Sequence, residues 1–170
     1  MKMEKFDPLN GSIAHILNCL GEGWSMLIIR EAFFGIRRFE EFQSHLGIAR
    51  NILTSRLKRL CESGILERVP IKQGAKRHEY VLSSKGKELM PLLITLTQWG
   101  DKWIYGEGNE PIVFRDRKNG KPIRPMQVIS DDGRPLRPRE IMPTAGPGAN
   151  EQARERLQEL ADLVETMQRD

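Results

Sequence analysis

The chain has 170 residues and a mass of 19.5 kDa, which fits one ordinary domain, or a small domain with an extension, and excludes a large multidomain enzyme. Hydrophobic residues make up 39% and charged residues 29%, so we expect a globular, cytoplasmic protein; no apolar stretch approaches the ~20 residues that cross a bilayer, and we expect no membrane partner. The net charge of +4 is uneven, because residues 1–104 hold 16 Lys and Arg against 11 Asp and Glu.

Four helices are predicted before residue 65. Apolar residues recur every three or four positions from Leu9 to Leu20, the period of one helix face. Trp24–Phe34 is apolar over most of its circumference, so we expect this second helix at the centre of the core. A third helix carries Phe39, Phe42 and Leu46 on one face, and a fourth follows after Gly47. The inner stripe of the fourth helix is Leu53, Leu57 and Leu60.

Beyond the fourth helix the period changes to two, as in β-strands. Short β-prone runs at Leu66–Arg68 and Tyr80–Leu82 flank Gln73–Ala75, which predicts a β-hairpin. Its tip is basic, and the whole stretch Arg50–His78 has a net charge of +6 within 29 residues. A clustered positive charge of this kind suits a polyanionic partner, although a merely solvated basic surface is the alternative.

A long fifth helix is predicted next, capped by Ser83 or Ser84. Its apolar stripe runs from Leu89 to Trp103. Pro91 lies inside that stripe, where it removes a hydrogen-bond donor. Because the stripe continues beyond Pro91, we expect the proline to kink the helix and not to end it.

The C-terminal part contains a short internal repeat. Asn119-Gly-Lys-Pro-Ile-Arg-Pro and Asp132-Gly-Arg-Pro-Leu-Arg-Pro lie 13 residues apart, and each begins with a hairpin-type turn signal. We therefore predict two small β-hairpins in residues 106–148, and a terminal helix in residues 149–170. The apolar seam of that helix is Ala153, Leu157, Leu160, Val164 and Met167.

A short helix, a glycine turn, a second helix and a basic hairpin form the layout of a winged helix-turn-helix, whose second motif helix enters the major groove of DNA. If the leucine stripe points inward, the outer side near the helix start carries Asn51, Thr54 and Ser55, whose short polar groups suit base edges. Arg50 and Arg56 stand beside that face and could serve phosphate or guanine. The alternative is a surface helix of a small bundle.

The remaining basic side chains are expected to bind the DNA backbone. Lys58 and Arg59 would meet phosphates beside the reading helix. The hairpin tip would reach the neighbouring minor groove or its phosphates through Lys72, Lys76, Arg77 and His78. The expected fold is mainly α with a small β part: a winged helix-turn-helix domain with a long fifth helix (residues 1–105), followed by a β-hairpin and helix extension.

Several ordered motifs resemble the HxlR family of bacterial winged-helix transcriptional regulators over roughly Phe6 to Ile104. They are Trp24-Ser-Met-Leu-Ile-Ile-Arg, Gly35-Ile-Arg-Arg-Phe-Glu-Glu-Phe, Leu46-Gly-Ile-Ala-Arg-Asn-Ile-Leu-Thr-Ser-Arg-Leu-Lys-Arg-Leu, Gly64-Ile-Leu-Glu-Arg and Tyr80-Val-Leu-Ser-Ser-Lys-Gly. The resemblance implies a homodimer on a pseudo-palindromic operator, joined through the first and fifth helices. On this pattern Arg50, Asn51, Thr54, Ser55 and Arg56 align with the recognition helix and Arg77 with the wing. Interface candidates are Leu9, Ile13, Leu92, Leu96, Trp99 and Trp103.

The chain departs from that family at two places. Many relatives have a Cys-Pro pair where Gly11-Ser12 stand here, which argues against a thiol-based redox switch of that type. The C-terminal part resembles the tail of longer members with Cys pairs, but it has no Cys, so we expect a metal-free degenerate zinc ribbon at residues 106–148. Of the two cysteines, Cys19 lies four residues after His15, a spacing that can hold a metal, yet a buried thiol is the simpler interpretation.

The sequence thus predicts a DNA-binding transcriptional regulator, a repressor acting as a homodimer, and not an enzyme. No cofactor is expected, because no phosphate-binding glycine loop or nucleophile elbow is present. An unknown small-molecule effector is a further candidate partner, bound near Trp24, Trp99 or Trp103, although such aromatics are more often core or interface. The alternative function is a protein-interaction adaptor with a vestigial winged helix.

Overall fold

The computed structural model describes residues 11–72 and 77–167, with side chains up to residue 163 of the last helix. The chain is mainly helical with one two-stranded antiparallel sheet, and its elements follow the order of a winged helix-turn-helix, as the sequence predicts. Contacts divide it into two compact units. One unit is Glu22–Met126, and the other comprises the described parts of Met1–Gly21 and Gln127–Asp170. The domain boundaries predicted from the sequence, after residues 105 and 148, differ from the boundaries of these two units. The division into three folding units stays a prediction.

The helix-turn-helix lies in the unit Glu22–Met126. Its helices are α2 (Gly23–Phe33), α3 (Phe39–Leu46) and α4 (Arg50–Glu62). Gly47 ends α3 at φ +60°, a left-handed backbone conformation that turns the chain sharply before α4 and that glycine adopts without a steric cost. Helix α2 contacts both α3 and α4, which confirms its predicted central place.

The core of this unit is built from the predicted helix stripes and the start of the hairpin. Its fully buried large side chains are Ile28, Ile29, Phe42, Leu53, Leu57, Leu60, Ile65 and Leu66. The three leucines of α4 are at most 1% exposed, which confirms the inner stripe. At the ends of α2 packing is looser, since Trp24 and Phe34 remain 37% and 49% exposed.

The wing is the hairpin of β1 (Leu66–Pro70) and β2 (His78–Leu82), paired from Leu66 opposite Leu82 to Pro70 opposite His78. A backbone hydrogen bond from Tyr80 N to Arg37 O, 2.8 Å long, ties β2 to the segment before α3. The wing is therefore attached to the helix-turn-helix through the backbone as well as through its apolar residues.

Ser83, directly after β2, connects the segment that follows α4 with the helix that follows the wing. Its Oγ donates to Gly64 O at 2.6 Å and accepts from Gly86 N at 2.9 Å, so that it caps the short helix α5 (Ser84–Lys87). Gly86 lies so close to Ile65 that a Cβ atom there would sit 2.1 Å from the Ile65 carbonyl oxygen. This close approach requires glycine at position 86.

The predicted kink at Pro91 is wrong. Helix α5 ends at Lys87, and a separate helix α6 (Met90–Gly100) begins with Pro91 in its first turn. Proline is tolerated there, because the first amides of a helix have no intrahelical acceptor, and its ring would clash with a carbonyl one turn earlier in a continuous helix. A π-helical turn, Asp101–Tyr105, continues α6 to the end of the stripe.

The two repeats form tight turns, each with one antiparallel bridge, and not the small two-stranded hairpins that the sequence predicts. The first turn lies in the unit Glu22–Met126, where Arg115 pairs with Pro122. The second belongs to the other unit, where Ile129 pairs with Pro135. The glycines of the two turn signals, Gly120 and Gly133, both have positive φ. The turn chemistry was thus predicted correctly, and the strand length was overestimated.

The other unit contains α1 (Ser12–Leu20) and α7 (Glu151–Met167). Asn150 caps α7, since its Oδ1 accepts from Ala153 N at 2.8 Å, and Ala153 is 3% exposed. The predicted first helix began at Leu9, which lies outside the described residues. In the described part of the chain no single helix has the length and hydropathy of a membrane span.

Candidate nucleic-acid interface

The outer face of α4 is open along its first half. Arg50, Asn51, Thr54, Ser55 and Lys58 are all exposed, opposite the buried leucine stripe. Because α-helix side chains repeat every 3.6 residues, these positions share a polar face about two turns long. The N-terminal half of α4 thus presents short polar groups and a cation. This is the part of the helix to which the sequence assigned base contacts.

The first turn of α4 is ordered by two local contacts. The Thr54 hydroxyl donates to Arg50 O at 2.8 Å, which leaves its oxygen lone pairs as acceptors facing outward. The Arg50 guanidinium lies 4.9 Å from the centre of the Phe39 ring, within range of a cation–π interaction. Phe39 at the start of α3 therefore restricts the Arg50 side chain, a role that the sequence pattern, which placed Phe39 only in the helix core, did not reveal.

Arg56 and Arg59 depart from the sequence-based expectation. Both form ion pairs with the carboxylate of Glu22, at the N-terminal end of α2. Arg59 Nη1 lies 3.3 Å from Glu22 Oε1, and Arg56 Nη2 contacts Glu22 Oε2. The Arg56 side chain is 15% exposed, and its buried Nε has no hydrogen-bond partner among the described residues. In this conformation, Arg56 anchors α4 to α2 instead of standing beside the open face.

The wing carries the other predicted cations. Lys72 and Arg77 are exposed on the two sides of its tip, and Ile71 N donates to Arg77 O at 3.2 Å to close the described part of the hairpin. His78 is partly exposed, and its Nδ1 lies 3.3 Å from Arg68 Nη2. Lys76 lies outside the described residues.

A groove of about 1000 Å³ separates the wing from the starts of α3 and α4. We call it the wing groove; it is lined by Arg38, Phe39, Glu40, Glu41, Arg50, Arg68, Ile71, Lys72, Arg77, His78 and Tyr80. Five of these residues are Lys or Arg and two are acidic, so the groove is electropositive. Arg38 and Arg68 were not among the predicted binding residues; Arg68 lies within the basic stretch Arg50–His78, whereas Arg38 lies outside it.

Acidic residues in this region hold the scaffold together. Glu41 Oε2 accepts from Arg38 N at 3.1 Å and from Arg37 N at 3.4 Å, and these backbone hydrogen bonds lower the pKa of Glu41 below its ordinary value. Glu79 on β2 pairs with Arg38 at 3.5 Å. These contacts therefore stabilise the first turn of α3 and connect the start of that helix to the wing.

The predicted dimer residues form an exposed apolar stripe on α6 and its π-helical turn. Leu92, Leu96, Trp99 and Trp103 are 40%, 49%, 62% and 66% exposed. Large aromatic side chains with this exposure, in one row, are typical of a protein interface. On α1, Ile13 is 76% exposed. Leu9 lies outside the described residues.

Burial disfavours the reactive thiolate form of Cys61, and in the part of the chain that the structure describes neither cysteine belongs to a metal-binding group. Both are unbridged and partly exposed, and burial raises the pKa of the Cys61 thiol against a smaller opposing effect of Arg68. Among the described residues, no group of three His, Cys, Asp or Glu side chains could hold a metal ion, and His15 with Cys19 forms no such group.

Known proteins are similar to this chain in sequence and in fold. The family model described as HxlR-like helix-turn-helix matches residues 19–107. The uncharacterized HTH-type transcriptional regulator Rv3095 of Mycobacterium tuberculosis is 39% identical over 137 residues, which cover 81% of this chain and 87% of the relative.

Two solved structures resemble most of the chain in fold and in sequence. The structure of PA1607, a proposed transcription factor, has a TM-score of 0.75 and 38% identity, and the match covers 80% of this chain and 95% of that one. The structure of PA1374 from Pseudomonas aeruginosa, also a proposed transcription factor, has a TM-score of 0.62 and 38% identity, covering 86% and 99%. The chain therefore belongs to the HxlR-like helix-turn-helix family and is a transcriptional regulator with a winged helix-turn-helix DNA-binding fold.

Proposed function

We propose that the protein is a homodimeric repressor that binds the two half-sites of a pseudo-palindromic operator. Helix α4 enters the major groove, where Asn51, Thr54 and Ser55 contact base edges. Arg50, held over Phe39, binds a guanine or a phosphate at the groove edge. A dimer bound at a promoter occupies the site that RNA polymerase needs, so repression requires no further activity of the chain.

The observation that carries this proposal is the open polar face of α4 beside the electropositive wing groove. A duplex that receives α4 brings its phosphates against the flanks of that helix. Lys58, exposed on α4, and Lys72 and Arg77 on the wing supply the positive charge on those flanks. Phosphate contacts of this kind fix the orientation of the protein, while the α4 face reads the sequence.

The dimer is proposed to form through α6. Its exposed stripe of Leu92, Leu96, Trp99 and Trp103 would be covered by the same stripe of a second copy, as a twofold interface requires. Ile13 on α1 is a further exposed apolar contact. Two copies are needed on this proposal, because a single α4 contacts only one half-site.

Fluorescence anisotropy with a duplex from the protein's own promoter tests the function. We expect saturable binding that weakens by about 10³-fold or more between 50 and 200 mM salt, because several phosphates are neutralised. The variant Arg50→Ala should lose about 1–3 kcal/mol of binding free energy and discriminate less between operator and scrambled duplex. Lys118→Ala removes the same charge from an exposed turn outside the interface and is the matched control.

Equal losses in Arg50→Ala and Lys118→Ala would show that α4 does not read the operator. Absence of salt-sensitive DNA binding, together with a protein partner captured through α7, would instead support the adaptor function. The described part of α7 favours the regulator, since Leu157 and Leu160 are partly covered and Ala153 is buried. That helix already has packing partners in the monomer.

A further inference from the structure

A second groove, of about 550 Å³, lies between the end of α6 and the first repeat turn, within the unit Glu22–Met126. One wall is Gln98, Asp101 and Lys102; the other is mainly apolar and includes Ile112, Phe114 and Ile123. We call it the effector groove. Gln98 holds the two walls together, because its Nε2 donates to Arg124 O at 3.2 Å and its Oε1 accepts from Met126 N at 2.8 Å. The volume lies within the range of about 300–1,000 Å³ that is usual for small-molecule sites.

The charged side chains of this groove differ in whether they have partners within the protein. Lys102 Nζ lies 5.0 Å from the Trp103 ring, and Arg115 Nη1 donates to Gly120 O at 3.0 Å, so both cations have partners in the protein. Among the described residues, no cation or hydrogen-bond donor contacts the carboxylate of Asp101, which is only partly exposed. Glu107 and Glu110 add two further carboxylates at the rim. The groove therefore offers an apolar wall opposite an available negative charge.

The backbone around Asp101 is also unusual. Asp101 begins the π-helical turn, and its carbonyl oxygen accepts from Gly106 N at 2.9 Å. π-Helical turns are rare in proteins, and those within α-helices are frequent at functional sites. Here the turn sets the Asp101 side chain where α6 ends against the first repeat.

From these features we infer that the effector groove binds a small amphipathic organic cation, with a planar apolar body against Ile112, Phe114 and Ile123 and an ammonium group on Asp101. None of Trp24, Trp99 and Trp103, the aromatics suggested by the sequence, lines this groove. The regulatory part of the inference rests on the proposed function: occupation of the groove changes operator affinity. A physical connection exists, because α6 packs on α2 and α2 packs on α4.

Three probes with one naphthalene body test the binding: naphthylmethylammonium, neutral naphthylmethanol and the anion naphthylacetate. We expect isothermal titration calorimetry of the full-length protein, without DNA, to show the cation binding at least tenfold more tightly than the other two. Asp101→Asn should reduce this preference at least fivefold, to what Glu107 and Glu110 still supply, whereas Glu88→Gln, on an exposed acidic residue outside the groove, should keep it. Ile112→Ser should weaken all three probes to a similar extent.

Equal affinities for the three probes, or an unchanged preference in Asp101→Asn, would overturn the inferred cation site. Binding of none of them, with the groove residues protected from exchange only in the dimer, would show that a second copy covers the groove. The operator titration is then repeated with saturating cation, which should change DNA affinity at least threefold in the wild type and not in Asp101→Asn. Cation binding without operator binding would leave the site standing and refute the proposed function; operator binding without the threefold change would refute only the regulation.

Discussion

At the scale of single residues, the carboxylate of Glu22 decides what two arginines of α4 do. A period-based projection of the helix places Arg56 and Arg59 near the polar side, where both are free to meet DNA. In the structure both guanidiniums form ion pairs with Glu22, which lies 37 positions before Arg59 in the chain. Because the Arg56 side chain is mostly buried, its charge needs this partner, and the pair fixes the position of α4 on α2.

Glu22→Gln is expected to lower the free energy of unfolding by about 1–2 kcal/mol, because it leaves the partly buried Arg56 without its counter-charge. Urea unfolding at pH 7 measures this change. Glu62→Gln is the matched control: its carboxylate lies 3.7 Å from Lys58 on the exposed surface of α4, where the expected cost is below about 0.5 kcal/mol. Equal destabilisation by the two substitutions would contradict the anchoring role of Glu22.

The Glu41 carboxylate makes α3 sensitive to acid. Its pKa is lowered by the Arg38 and Arg37 amides, so this contribution to stability is present above the ordinary glutamate pKa, about 4.3, and is lost as the pH falls through the lower folded-state pKa. Urea midpoints of the wild type and Glu41→Gln should therefore differ at pH 7 and converge toward pH 3. Glu40→Gln, which removes the same charge one position earlier, should show a smaller difference; a Glu41→Gln difference that is constant with pH would refute the prediction.

At the scale of elements, the wing, α4 and α5 meet at Gly86 and Ser83. The turn signals and capping serine were visible in the sequence, but the requirement for glycine at position 86 was not. It arises because the backbone of α5 lies directly against the Ile65 carbonyl, at the start of the wing. The junction keeps the wing at a fixed place beside α4.

Gly86→Ala should destabilise the protein by about 2–3 kcal/mol, since the added methyl group meets backbone that cannot move independently. The control is Gly23→Ala on α2, where an added Cβ has open space and the helical backbone suits alanine, so we expect no loss and a small gain. Thermal and urea unfolding of both variants provide the comparison. A Gly86→Ala protein as stable as Gly23→Ala would show that this junction is not tightly packed.

At the scale of the whole molecule, the proposed dimer interface is the exposed stripe on α6. Light scattering of the full-length wild type should give twice 19.5 kDa. Leu96→Glu places a charge in the centre of the proposed interface and should shift the mass to that of one chain, because an unpaired carboxylate would be buried there. Ser44→Glu, at an exposed position of α3 outside the stripe, should leave the dimer intact. A dimeric Leu96→Glu protein would exclude this face as the interface.

The places of α2 to α4, the buried leucine stripe of α4 and the wing were predictable from the sequence, because residues two to four positions apart encode them, and the ordered motifs identified the family. Two predictions of local structure were wrong, for related reasons. A new helix begins at Met90 with Pro91 in its first turn, the place where a helix accommodates proline best, although the apolar stripe continues through it. The repeats keep their Asn-Gly and Asp-Gly turns but form only one bridge each, since strand length depends on partners that a turn signal does not specify.

The sequence alone determined the period of each element, the turn residues and the clustering of positive charge on α4 and the wing. The tertiary structure decided which of those charges are available, because Glu22 neutralises Arg56 and Arg59 while Arg50 rests on Phe39. It also decided that the first repeat turn meets the end of α6 around Asp101. The physical reason is that ion pairs and grooves depend on distances between residues far apart in the chain, whereas a helical or β period is set by adjacent residues.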